Sequence, residues 1–202
     1  GDEPVHMTIS RNAIKELYEW KENNGRKPLV ILGARQVGKT WLMKEFGKEA
    51  YKKCAYVNFE DNDDLRGLFE HDFDIQRIIA NLQWTTGVTI DEDTLIILDE
   101  IQEAPRGITA LKYFQEKAPQ YHVIAAGSLL GIAMHKNDSF PVGKVDFMHL
   151  YPLSFYEFLN AIGEKKMVDL LQAKDWTMLT MVRAKFEERL RQYYFVGGMP
   201  AA

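Results

Sequence analysis

The chain has a single cysteine, Cys54, among 202 residues. An internal disulfide is excluded, so the fold must be held by its core, and such cysteine usage suits a reducing, cytoplasmic setting. Cys54 opens an apolar run through Val57 and reads as an inward strand residue rather than a reactive thiol. An excess of positive charge is also missing. The formal net charge is −4, so the composition advertises no basic face for nucleic acid, although a local patch can hide within an overall balance. No apolar stretch approaches the roughly 20 residues that cross a bilayer, and residues 1–10 lack the basic start and apolar centre of a signal peptide. Gly1 stands where a Met would begin a chain, which points to processing or a cloning remnant, with Met7 as a candidate native start. His6, His71, His122, His135 and His149 have no metal-ligand spacing.

What is present is enough apolar residue, 46%, for one medium domain or a core domain with a small helical appendage. Ala13, Ile14, Leu17 and Tyr18 predict a helix over about Asn12 to Glu22, capped by Ser10 and closed by Gly25. Pro28 to Leu32 and Thr94 to Leu98 are continuous apolar runs suited to strands buried on both faces. Tyr51 to Phe59, Val123 to Ala126 and Phe147 to Leu150 supply three further strands. Helices are expected between them: from Trp41 to Phe46, around Phe73 to Leu82 ending near Gly87, and around Ile108 to Phe114 stopping near Pro119. The acids Asp61, Asp63 and Asp64 fail calcium-loop spacing and instead start a short helix. From Ser154 onward the chain reads as helical, with a long helix from Met181 to Tyr194. The alternation predicts an α/β fold: a five-stranded parallel sheet between helices, followed by a helical lid-like segment.

Gly33 to Thr40 fits G-x-x-x-x-G-K-[ST], the Walker A phosphate loop, and lies between an apolar strand and a helix. A polyphosphate needs a ring of backbone N–H donors, which Gly33, Ala34, Arg35, Gln36, Val37 and Gly38 would supply, while the following helix offers its positive dipole end. Lys39 would reach the β- and γ-phosphates, and the Thr40 hydroxyl would ligate Mg²⁺. Leu95 to Leu98 run into Asp99 and Glu100, a Walker B pattern in which the Asp serves Mg²⁺ and the Glu polarises the attacking water. Ser128 follows Gly127 after the fourth strand. If that strand lies between those ending at Gly33 and Asp99, its hydroxyl falls beside the γ-phosphate; it can equally cap a helix through Leu129 and Leu130. No guanine-reading N-K-x-D motif is present, which favours ATP.

Several segments then share one resemblance: Arg26 to Leu29 running into GARQVGKTW, LDEIQ at Leu98 to Gln102, AGSLLG at Ala126 to Gly131, PVGKV at Pro141 to Val145, YPLSFYEFL at Tyr151 to Leu159, and GGMP at Gly197 to Pro200. Together they resemble the AAA-type ATPases of bacteria and archaea that pair this domain with a C-terminal nuclease-like domain of unknown function. The resemblance implies nucleotide binding by Gly33, Gly38, Lys39 and Thr40, magnesium service by Asp99, water activation by Glu100 and a sensor-like role for Ser128. Many relatives carry Arg where this chain has Lys144, and Lys lacks the planar guanidinium fork. The second domain is not in the chain, which stops at Ala202. An unidentified protein or nucleic-acid partner is expected to engage through that missing part.

The expected organisation is an N-terminal helix with leading non-native residues over 1–25, an ATPase core over 26–152 and a lid-like segment over 153–202. The expected activity is Mg²⁺-dependent ATP hydrolysis driving a conformational or partner-directed action, with no membrane and with homo-oligomerisation open. The alternative is a nucleotide-gated switch that scarcely turns over. Trp20, Trp41, Trp84 and Trp176 read as core or interface anchors, with a core role for Trp41. Lys185 to Arg191 reads as a solvated helix face, and Gly131 to Phe140 as a mobile loop. Arg35 and Arg106 are the arginines nearest the motifs, and neither is an obvious transition-state finger.

Overall fold

Five apolar runs pair side by side into one sheet in a computed structural model that describes residues 3–33, 38–128, 143–150, 153–173 and 175–195. The strands are β1 (Leu29–Gly33), β2 (Lys53–Asn58), β3 (Thr94–Asp99), β4 (His122–Gly127) and β5 (Asp146–Leu150). Their order is β2-β3-β4-β1-β5, and every pairing is parallel. Parallel neighbours cannot be joined by a tight turn, so α2 (Lys39–Ala50), α3 (Ile75–Thr86) and α4 (Gly107–Lys117) serve as crossovers, with α1 (Glu3–Glu22) ahead of β1. The five-stranded parallel sheet between helices is thus as expected.

Side chains alternate across each strand, and the alternation splits the core in two. Leu29, Ile31, Leu95, Ile97, Ile124 and Ala126 face Leu17 and Trp20 of α1 and Leu42, Met43 and Phe46 of α2. Val30, Leu32, Ile96, Leu98, Val123 and Ala125 face Ile78 and Leu82 of α3 and Ile108 and Leu111 of α4. Every residue of β1 and β3 is buried, as strands covered on both faces require. The second cluster continues into α5 (Leu153–Ala161), α6 (Lys165–Gln172), α7 (Trp176–Met181) and α8 (Arg183–Phe195). There Phe155 is fully buried, edge-on to Phe186 and Tyr193. Glu164 fastens α8 by accepting from Arg189 Nη2 at 2.9 Å and facing Lys185 Nζ at 3.3 Å, so Lys185 and Arg189 are partly engaged rather than simply solvated.

Four expectations need correction. The first helix begins at Glu3, which puts Ser10 inside it; Pro4 falls in the first turn, where a missing N–H costs nothing. Gly25 does not close it. It is not among the described glycines with positive φ, and its N–H donates to the Asn23 side chain at 2.9 Å in a turn after the helix ends. Trp41 is not a core residue but 51% exposed: α2 buries Lys39, Leu42, Met43, Phe46 and Gly47, a stripe at helical spacing from which Trp41 is rotated away. Met181 to Tyr194 is not one helix, because α7 and α8 meet at a turn at Val182. Buried Leu179, Phe186, Leu190 and Tyr193 keep helical spacing across it, and neither Gly nor Pro marks it. Ala34 to Val37, Leu129 to Leu130, the Gly131 to Phe140 loop, the boundary at Pro152 and Gly197 to Pro200 lie outside the described residues.

Because Phe155 is fully buried against Phe186 and Tyr193 in the cluster that the C-terminal helices share with one face of the sheet, we expect Phe155→Ala to cost ~3–5 kcal/mol in urea unfolding. A loss under about 1 kcal/mol would contradict the shared core.

Candidate functional site

Parallel pairing brings the C-terminal ends of β1, β3 and β4 to one edge of the sheet. Leu32 lies opposite Gly127, and Leu98 opposite Ala125. The fourth strand does sit between the other two, so Ser128 follows β4 there, half-buried. At this edge Gly38 caps α2 in a left-handed conformation (φ 82, ψ 20) that glycine adopts without strain. No side chain caps α2 and its first turn holds no acid. The leading N–H groups, orphaned in any helix, are therefore left without a side-chain acceptor among the described residues, a setting that suits an anion.

Lys39 opens α2 with only 5% of its surface exposed. Its ammonium lies 2.9 Å from Glu100 Oε1, an ion-pair contact without hydrogen-bond alignment. The Thr40 hydroxyl donates to Asp99 Oδ2 at 2.6 Å, joining the start of α2 to the end of β3. Asp99 is 1% exposed. Its Oδ2 also accepts from the Tyr56 hydroxyl at 2.7 Å, and its Oδ1 from the Glu100 N–H at 3.0 Å. Burial and the bond to Asp99 push the Tyr56 hydroxyl well above the usual tyrosine range, so it stays a donor.

Glu100 has φ 51, a left-handed conformation that costs a non-glycine residue ~1–3 kcal/mol and persists only where the surroundings over-determine it. Here they do. Its N–H is tied to Asp99, one carboxylate oxygen faces Lys39, and the other accepts from Gln102 Nε2 at 2.6 Å. Gln102 is 3% exposed, and its Oε1 has no hydrogen-bond partner among the described residues.

The site therefore holds two buried carboxylates against one buried ammonium among the described residues. A net negative charge out of water is costly unless a cation balances it, so the donor set fits a hard divalent ion at Thr40 and Asp99. The uncapped helix start and Lys39 fit a polyphosphate.

Sequence reasoning named Lys39, Thr40, Asp99 and Glu100, and the fold brings these four together. It did not give Tyr56 or Gln102 a role. Gln102 was visible within LDEIQ, but Tyr56 is recognisable only once β2 is known to lie beside β3. Lys144 is elsewhere. It precedes β5, whose Asp146 is level with Leu29 and whose Leu150 is level with Gly33. The whole of β5, five residues at ~3.3 Å each, separates it from the site's edge. Its ammonium lies 3.6 Å from Glu116 Oε1, a loop cation with a partner. Arg106 is also engaged, donating to the Glu70 carbonyl at 2.8 Å with its guanidinium 4.3 Å from the Phe73 ring centroid.

A family model described as an AAA domain matches residues 25–159. Among solved structures, the chain is similar to the ORC1 protein of Aeropyrum pernix in complex with DNA. That match has 14% identity and a TM-score of 0.44, over 79% of this chain and 49% of that one, so this chain spans about half of its length. It is also similar to Drosophila ORC bound to AT-rich DNA and Cdc6 (13% identity, TM-score 0.41, 95% of this chain and 84% of that one). A third is C. elegans PCH-2 (13% identity, TM-score 0.34, 82% of this chain and 45% of that one).

Proposed function

This chain belongs to the AAA domain family, and on that premise we propose that it binds ATP with Mg²⁺ and hydrolyses it to drive a conformational or partner-directed action. The observation that carries the reading is the Lys39–Glu100 pair at 2.9 Å, set beside the Thr40–Asp99 bond at 2.6 Å. A cation and a base that block each other in the free chain are what incoming phosphates would separate.

Gly33, the backbone of Ala34, Arg35, Gln36 and Val37, and Gly38 cradle the phosphates. Lys39 exchanges Glu100 for the β- and γ-phosphate oxygens. Glu100, still held through Gln102, then orients water in line with the γ-phosphorus and accepts its proton. Thr40 and Asp99 would hold Mg²⁺, whose charge neutralises that developing on the phosphate oxygens. Ser128 reads the presence of the γ-phosphate. Catalysis by positioning and charge suits a site whose groups are already buried and oriented.

We assign 26–152 to the ATPase core and 153–202 to a lid-like segment, with residues 1–25 forming the helix that precedes them. We place the protein in the cytoplasm on the strength of its lone cysteine; no described helix is long and apolar enough to cross a membrane. A C-terminal nuclease-like domain, engaging a protein or nucleic-acid partner, follows from the resemblance. The rival reading, a switch with little turnover, is favoured by one observation: both Glu100 oxygens are occupied in the free chain.

Calorimetry and turnover on two variants test the proposal. Lys39→Ala should abolish ATP binding. Glu100→Gln should keep binding and lose far more than the tenfold in rate that ~1.4 kcal/mol represents. Equal affinity in Lys39→Ala would refute the phosphate site, and unchanged turnover in Glu100→Gln would refute the base.

With Arg106 held by Glu70 and Phe73, we expect the transition-state arginine to come from another subunit or the further domain, contributing ~10³- to 10⁵-fold. Turnover per chain should then rise with protein concentration or on extension past Ala202. Fast turnover at high dilution, unimproved by extension, would contradict this.

A further inference from the structure

Asp99 Oδ2 accepts two hydroxyl donors, and the second comes from a strand that carries none of the phosphate-loop or acid-pair residues. We propose that Tyr56 is a positioning residue for the divalent cation: by donating to Asp99 Oδ2 it fixes the carboxylate against Thr40 so that cation and nucleotide bind together. This rests on reading Asp99 as the magnesium-serving acid.

The placement follows from register. On β2, Tyr56 lies opposite Ile97 and Asn58 lies opposite Asp99. Tyr56 is thus two residues short of the sheet's edge, and a tyrosine is long enough to reach diagonally to the carboxylate of Asp99. Serine or threonine there would be too short. Phenylalanine would fill the same space with no donor. The other side of the ring meets α2, where Lys44 Nζ lies 4.1 Å from its centroid. Tyr56 is therefore held between the helix that carries Thr40 and the strand that carries Asp99.

The donor count gives the residue its role. A carboxylate oxygen has about two acceptor sites. Among the described residues Oδ2 is filled by Thr40 and Tyr56, and Oδ1 takes the Glu100 N–H alone. Without Tyr56 the carboxylate is tied by one side-chain donor, and that donor is the hydroxyl expected at the metal. Groups that orient a metal-serving side chain are typically worth 10- to 100-fold in metal affinity. Among the described residues no lysine or arginine forms an ion pair with Asp99, which leaves neutral donors to hold it until a cation arrives.

The test is calorimetric titration of the full chain with ATP, once in Mg²⁺ and once in EDTA, for the parent, Tyr56→Phe and Asp99→Asn. Tyr56→Phe keeps the ring and its packing on Lys44 and removes only the hydroxyl. The expected result is an unchanged affinity in EDTA and a loss of roughly 10- to 100-fold in the gain that Mg²⁺ confers. A purely structural tyrosine would shift both titrations alike, or only thermal stability, and either result overturns the proposal, as does a full Mg²⁺ gain in Tyr56→Phe. If Asp99→Asn keeps the full gain, the magnesium reading of Asp99 fails and takes this inference with it. Loss of the gain in Asp99→Asn but not in Tyr56→Phe overturns this inference alone.

Discussion

A buried ammonium needs a buried anion beside it, and in this protein Lys39 and Glu100 meet that need for each other at 2.9 Å. Such a pair is poor value for stability alone, since the desolvation of both charges offsets most of their attraction. Well-packed apolar residues would serve the fold at least as well. The pair makes physical sense as a resting state. On the proposed function, polyphosphate would be a stronger and better-shaped partner for Lys39 than one carboxylate, and its arrival would free Glu100 at the moment a base is wanted. The left-handed backbone of Glu100 (φ 51) fits the same account, because strain at this position is retained only if the resulting side-chain direction matters.

The rest of the architecture serves that contact. Placing β4 between β1 and β3 sets the phosphate-loop strand and the acid strand one strand apart. Lys39 and Thr40, at the start of α2, then reach across to Glu100 and Asp99. Complete burial of β1 and β3 makes those strand ends rigid posts. Tyr56 and Gln102 then act as braces, one on each acid. The C-terminal helices add Phe155, Phe186 and Tyr193 to the cluster on the face opposite α1 and α2.

The parallel sheet was legible because two of its strands are apolar on both faces, a pattern that leaves few alternatives. Lys39, Thr40, Asp99 and Glu100 were legible because phosphate and metal chemistry demands fixed residue types at short spacing. What escaped the sequence was long-range or rotational. Tyr56 lies 43 residues from Asp99, and only the pairing of β2 with β3 makes them neighbours. Trp41 reads as core by its apolar character, but its angle around α2 turns it outward. Helix α1 starts at Glu3, its first turn tolerating Pro4, and it ends at Glu22 with no left-handed glycine at Gly25. Each of these depends on a neighbour or a rotation that local propensity does not encode.

The central claim is that Lys39 changes partner. A crystal structure of the chain with a non-hydrolysable ATP analogue and Mg²⁺ tests it most directly. The account predicts that Lys39 Nζ leaves Glu100 for phosphate oxygen, that the metal sits at Thr40 and Asp99, and that Glu100 keeps its bond to Gln102 while facing water. A bound analogue with the Lys39–Glu100 pair still closed, or a nucleotide lodged away from the start of α2, would contradict it.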